Sequence, residues 1–484
     1  MNKLLNKTGK YYIAAFALIF AATLFIAPLG DDFIYVVAPN LNFRLSDLLP
    51  NEAFWRPFDV LIGALNGVFP FLFPYINFAL VAFSHAMSAY LIEKILSAKG
   101  IEKKYAFFGA MFFMFSSICV AVTASPDALN QAFSLLFGLI GLYSYIKSGS
   151  YAYIIFSVIS LFWKESGISW FFVIPLFQTT ETFGTFRGIF KNKKHLGDFI
   201  LKIIVGVIVS ALYFAARFAL LGKAQLGGNG RYTLSLFSFS TLKNFVMLTV
   251  SAATGADTVT MFSTNKNMVI LILTSVLSAV FCLFMLIKAI SVLRSKPESL
   301  YNLAVLAACG VILSAPQAAL TSTSEMHAYP AVFVIAYIYT YIFNNSPKQN
   351  SKQTIALMLC IFTAFAGASF HKYQSLYKLS YETEALTDSI CSYYTDSSKS
   401  LLIVYQKYPT DYSIYSQTPF FGLWDGQGLK SRFGWKELPY NHKRVLDEND
   451  ANEYVRENGS KYDYIIYVPR GSTESQLIKS PQGD

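Results

Sequence analysis

The chain has 484 residues, of which 54% are hydrophobic, 17% aromatic and 14% charged, and a formal net charge of +10. That composition excludes an ordinary soluble domain and describes a polytopic membrane protein. The positive balance reads as topology rather than as a nucleic-acid signal, because Lys and Arg lie mostly in short loops between apolar runs.

A hydrocarbon core about 30 Å thick takes roughly 20 apolar residues in helix. Runs of that kind fall near 11–29, 70–93, 105–123, 128–146, 151–163, 167–178, 199–221, 268–290, 301–315, 329–344 and 353–370. They predict about eleven spans. The first reads as a retained span, being long for a leader and carrying Phe25 where a small residue is expected before a cleavage point. The runs at 151–163 and 167–178 are short and separated by Trp163-Lys164-Glu165-Ser166, which also fits a broken hairpin dipping toward the bilayer. Lys3, Lys7 and Lys10 precede the first span, and Lys94, Lys99, Lys103 and Lys104 follow the second, so both segments are expected in the cytoplasm. With eleven spans, Arg187 to Lys194, Arg294 to Lys296 and Lys348 to Lys352 also fall inside, and the C-terminus falls outside.

After residue 370 the composition changes, which divides the chain into a membrane domain, 1–370, and an extracytoplasmic α/β domain, 371–484. Leu376, Leu379, Thr383, Leu386 and Ile390 keep a three-four spacing and predict an amphipathic helix leaving the membrane. Residues 401–405 and 464–468 read as buried strands, and 447–458 as a polar-faced helix between them. The five cysteines carry neither a disulfide framework nor a zinc spacing, and Gly227-Gly228-Asn229-Gly230 is a loop tip with no helix start behind it.

The polar residues gather on one side of this topology. Asp31-Asp32, in Ala27-Pro28-Leu29-Gly30-Asp31-Asp32-Phe33, stands out because adjacent carboxylates repel, and a helix already stopped by Pro28 and Gly30 does not need them. Neighbouring side chains point roughly 100° apart in a helix, so one can serve as a base while the other positions a group or a metal. Asp127 fits a helix-start acid as well as a site residue. Lys164 and Glu165 fit a simple ion pair in a turn, and His327 a hydrogen-bonded interface histidine.

Asp31-Asp32 after the first span, Phe54-Trp55-Arg56-Pro57-Phe58 ending the first outer loop, the Trp163-Lys164-Glu165-Ser166 turn and Ser324-Glu325-Met326-His327-Ala328-Tyr329-Pro330 opening a late span together resemble the GT-C glycosyltransferases. The resemblance covers residues 1–370 in layout, with a C-terminal outer domain of the kind many members append. It implies a mainly α transmembrane bundle in a bacterial plasma membrane, a polyprenyl-phosphate-linked sugar as donor, and a glycan, lipid or protein hydroxyl as acceptor. It also implies a first-loop Asp, Asp31 or Asp32, as catalytic base. The sequence departs from the family at Met326-His327, where an Arg is frequent. Sugar transfer from a lipid phosphate needs a base at the attacking hydroxyl and positive charge at the departing phosphate. Arg56, Lys164, Arg231 and His327 are the available cations, Asp127, Glu165, Glu325 and Tyr329 supporting residues, and a divalent Mg or Mn a possible addition. Direct attack inverts the anomeric carbon. A polysaccharide polymerase or ligase with its site on a later loop, and a flippase with polar residues at midspan, are the alternatives.

The topology has a direct check. A cysteine introduced near residue 420 should react with an impermeant thiol reagent in intact cells, and one at Lys103 only after lysis.

Overall fold

The computed structural model describes residues 8–30, 32, 43–50, 54–191, 193–221, 238–255, 268–320, 323–347, 351–407 and 418–480. In chain order its longer helices are α1 (Gly9–Thr23), α2 (Pro57–Val68), α3 (Tyr75–Ala98), α4 (Lys103–Phe115), α5 (Leu129–Ser148), α6 (Tyr153–Trp163) and α7 (Trp170–Thr182). There follow α8 (Lys193–Leu221), α9 (Phe239–Thr254), α10 (Met268–Ser295), α11 (Ser299–Ala318), α12 (Tyr329–Asn345), α13 (Ser351–Tyr393) and α14 (Glu448–Asn458). Each apolar run expected to span carries a helix, but α1 stops at Thr23, short of the expected end at 29 and ahead of Pro28 and Gly30. Among the described residues seven helices are long and apolar enough to cross a membrane, or eight if α4 and the short helix beyond it, bent by 40°, form one span. The sequence count of about eleven is larger because it also takes α1, α6 and α7, which are apolar but short.

Two helices escape the hydropathy reading. α2 starts on Pro57, a residue suited to a first helical position because it has no N–H to leave unbonded. α9 buries Asn244, Leu248, Ser251 and Ala252 on one face, and Asn244 Nδ2 donates to the carbonyls of Ala318 (3.2 Å) and Leu320 (2.7 Å). Its polar stripe is satisfied by protein, so it needs no apolar run.

α3, α5 and α12 form the interior, with most of their apolar residues buried, whereas α8 and α10 expose Ile204, Val207, Leu212, Ile272, Val276 and Leu283. A row of large exposed apolar side chains on a long helix is a lipid-facing surface.

The turn between α6 and α7 is tight. Lys164 is extended, a 3-10 turn runs over Glu165–Ser169, and Gly167 approaches so closely that a Cβ there would lie 2.4 Å from the Ser160 carbonyl carbon. The missing side chain is what lets the turn fold back on α6.

α13, at 43 residues, is roughly 65 Å long. It carries the chain without a break past residue 371, so the expected amphipathic exit helix is the continuation of the last apolar run. Its far end, through Leu386, Ile390 and Tyr394 just beyond it, packs on one face of a four-stranded sheet. The strands are β1 (Leu401–Gln406), β2 (Tyr440–Val445), β3 (Tyr464–Val468) and β4 (Gln476–Lys479), in the order β2-β1-β3-β4. β1 is parallel to both neighbours and β4 is antiparallel to β3. Successive side chains alternate between faces: Leu401 and Ile403 meet α13, while Leu402 and Val404 meet Ala451 and Val455 of α14. The expected strands and the helix at 447–458 are present.

Gly167→Ala should therefore destabilise the protein by about 1–3 kcal/mol through overpacking. A lowered Tm in detergent, with loss of the wild-type Lys164 environment, is the expected reading; an unchanged Tm would show that the turn has room to shift.

Candidate functional site

Beyond α1 the chain is latched to the sheet domain. Ala27 N donates to Ser380 Oγ on α13 (3.1 Å), and Gly30 N to the Gly422 carbonyl (2.7 Å). Gly30 has φ +59°, a left-handed conformation natural to glycine, and it turns the chain into Asp32. Asp32 is only 3% exposed. Its Oδ2 accepts from Leu29 N (2.8 Å), and its Oδ1 from Ser125 Oγ and Asp127 N (both 3.1 Å). Donors on both oxygens complement its charge and pin the first loop to the turn that opens α5.

A second group is built on α2, α5 and the α6–α7 turn. Arg56 places Nε (3.0 Å) and Nη2 (2.8 Å) on Glu165 Oε2 and lies over the Phe54 ring at 4.1 Å. Lys164 Nζ donates to Asn130 Oδ1 (3.2 Å). Asn130 Nδ2 in turn donates to Asp59 Oδ2 (3.2 Å) and to the Asp127 carbonyl (3.1 Å). Asn130 is thus the junction between a cation, a carboxylate and the residue whose N–H holds Asp32.

Burial acts on these charges in opposite senses. It lowers Lys164 to about 8, with Arg56 pushing the same way. It raises the Asp59 carboxyl to about 7 against the opposing pull of Arg56 and Asn130. Burial alone would also raise Glu165, but the Arg56 guanidinium outweighs it and holds that carboxyl below its ordinary value.

The turn before α12 supplies the third side. Ser324 N donates to His327 Nδ1 (3.2 Å), which leaves the proton of a neutral ring on Nε2, and His327 lies within electrostatic reach of Lys164 and Arg56. Glu325 turns away from this group to Lys372 Nζ (2.7 Å). Tyr329 is fully buried in the bundle, its hydroxyl 2.9 Å from His85 Nδ1. The structure therefore brings together Asp32, Arg56, Asp127, Lys164, Glu165 and His327, and gives Glu325 and Tyr329 packing partners elsewhere. Asp31 and Arg231 lie outside the described residues.

Three members of this network, Asp59, Ser125 and Asn130, were not anticipated, and neither was Lys372, which pairs with Glu325 outside it. Asp59 had a signal, since an acid two residues after a helix-opening Pro57 sits where the helix dipole favours it. Lys372 had one too, because it continues the Leu376, Leu379, Leu386, Ile390 stripe back by one turn, onto the buried face. Asn130 and Ser125 had none. Among the described residues no group of three or more His, Cys, Asp or Glu is arranged to hold a metal ion.

No family model matches the chain, and no curated protein matches it. Among solved structures it is similar to the archaeal oligosaccharyltransferase AglB from Archaeoglobus fulgidus, determined in complex with an inhibitory peptide and a dolichol-phosphate. The TM-score is 0.42 and the identity 10%, over 96% of this chain and 70% of that one.

The raised Asp59 carboxyl makes a pH-dependent stability. A folded value above the ordinary 3.8 means that its contribution is whole below that pH and is lost as pH rises through about 7. The Tm of Asp59→Asn relative to wild type should rise across that interval and level off above it. A difference that stays flat with pH would mean that Asp59 titrates like a solvated carboxyl.

Proposed function

We propose that the protein is a membrane glycosyltransferase that moves a sugar from a polyprenyl-phosphate carrier to a hydroxyl acceptor at the extracytoplasmic face of a bacterial plasma membrane. The observation that carries this reading is the hydrogen-bonded chain Lys164–Asn130–Asp127–Asp32, which sets cations and carboxylates side by side at one end of an apolar bundle.

Each part has a task in that reaction. Lys164 and Arg56 meet the charge that develops on the departing phosphate, with His327 Nε2–H as a further donor. Glu165 orients Arg56, and Asp127 orients Asp32. Asp32 takes the proton of the attacking hydroxyl as its oxygen bonds to the anomeric carbon and the bond from that carbon to the phosphate oxygen breaks. A single displacement of this kind inverts the anomeric configuration. The carrier's tail stays in lipid, so no nucleotide-binding domain is needed. Asp59 is a second carboxylate of the same site, and its value near 7 suits it to exchange a proton at working pH.

The test measures consumption of a polyprenyl-phosphate sugar by purified protein in lipid. Asp32→Asn should cut the rate by about a hundredfold to ten-thousandfold, as loss of a general base does, in protein that still folds but with a lowered Tm, since the amide nitrogen faces a donor on whichever side it takes. Lys164→Met should lower kcat and kcat/KM together, because it removes a cation whose interaction strengthens as charge develops on the departing phosphate. Wild-type transfer by Asp32→Asn and Asp59→Asn alike would sink the carboxylate chemistry and favour a polymerase with its site on a later loop.

A further inference from the structure

A groove of about 530 Å³ opens where the sheet domain meets the bundle, between the end of α1, the start of α3, one face of α13 and the segment 423–435. This inference rests on the transferase reading and concerns the acceptor. The α13 wall is a single stripe: Tyr377, Ser380, Tyr381, Glu384 and Thr387 recur at three and four residues.

The groove is divided by polarity. Its half nearest the apolar runs is lined by Leu24, Phe25, Pro28, Phe73 and Pro74, with Phe25 77% exposed. Its other half presents Ser380, Tyr381, Glu384, Thr387, Ser431 and Trp435. The α13 residues of that half lie ten or more positions past 370, where the apolar run ends, so they stand beyond the level at which α1 leaves it. An amphiphile with its tail along the first half and its head in the second matches this division.

The chemistry of the head follows from what lines the polar half. No Lys, Arg or His is among the described lining residues. The nearby Arg432 is engaged by Glu384 and by Asp388, the latter at 2.8 Å. Among the described lining residues a phosphate head would meet no cation. Hydroxyls, a carboxylate and flat aromatic rings suit an uncharged polyol, since sugars offer both hydroxyl donors and apolar faces. Tyr381 is 76% exposed at the rim. Trp435 holds φ +63°, a left-handed conformation costly for a bulky residue, and sets its ring edge-on to Phe73 at 5.7 Å. Such strain is common in segments that clamp a ligand.

The groove and Asp32 lie against the same short segment. Pro28 lines the groove, and the next residue, Leu29, donates its N–H to Asp32 Oδ2. We propose that this groove binds the acceptor and that the acceptor is a neutral glycolipid, its tail against Leu24 and Phe25 and its sugar between Tyr381 and Trp435. The acceptor sugar's hydroxyl oxygen then bonds to the donor's anomeric carbon, its proton passes to Asp32, and polyprenyl phosphate leaves.

The experiment places a benzophenone amino acid at position 381 of the full-length protein in phosphatidylglycerol nanodiscs containing diglucosyl diacylglycerol. After irradiation the adducts are identified by mass. The glycolipid should be enriched about tenfold over its share of the bilayer. Ser431→Trp, which fills the polar half from an exposed position, should abolish that enrichment while Tm shows the fold retained. Adducts in proportion to bilayer composition would reduce the groove to lipid contact, and enrichment of phosphatidylglycerol would assign it to a charged head; either overturns the proposal. Crosslinking reads binding alone, so its failure is distinct from failure of the transfer chemistry, which the Asp32 and Lys164 variants report.

Discussion

The ion pair between Lys372 and Glu325 is the constraint on which the arrangement at this end of the bundle depends. Lys372 is 1% exposed and Glu325 6%, so neither charge is solvated, and Lys372 Nζ also donates to the Ser117 carbonyl at 2.8 Å. A buried pair of this kind is weak evidence for net stability, but removing one partner typically costs about 3–5 kcal/mol, because the other is left charged in a poor solvent. That penalty fixes three things at once. It sets the depth of α13, which carries the sheet domain, holds the turn that presents His327, and anchors the bend beyond α4. The supports of the groove and of the cation group thus share one Lys–Glu contact.

Burying charges at a helical end is affordable only when they neutralise one another, and the site shows how few residues this takes. Arg56 and Glu165 satisfy each other directly. Lys164 and Asp59 do not touch; Asn130 stands between them, giving one a carbonyl and the other an amide. An amide spacer conveys hydrogen bonding without letting the opposite charges collapse together. Burial consequently moves Lys164 down and Asp59 up until both titrate near neutrality. The proposed transfer calls for groups of this kind, brought toward working pH by their surroundings.

The helices divide their labour in the same economical way. α8 and α10 meet lipid and need little specificity, so their sequences are continuous apolar runs. α3, α5 and α12 meet other helices on every side and carry His85, Asn130 and Tyr329 among their apolar residues, each with a protein partner. His85, Asn130 and Tyr329 are admitted to the interior where a donor and an acceptor coincide.

What the sequence by itself determined is whatever depends on local periodicity. The apolar runs gave helices and the two hydrophobic pentapeptides became β1 and β3, because each outcome follows from residues within one or two turns of one another; α1, by contrast, stops at Thr23, well before the Pro28 and Gly30 expected to end it. Lys164 and Glu165 were likewise readable as a polar turn between two short helices. Their partners were not. Adjacent in sequence, they fit a simple mutual pair, yet Glu165 reaches Arg56, 109 positions away, and Lys164 reaches Asn130. Tyr329 and Glu325 sit in the same short motif as His327 but end in separate surroundings, since successive positions on a helical turn point in different directions. α9 and Asn130 stayed invisible because a polar residue looks solvated in a sequence until packing shows what covers it. Only the tertiary structure decides that, because the free energy of a buried charge or amide is set by the groups brought within about 3 Å of it, and these come from distant parts of the chain.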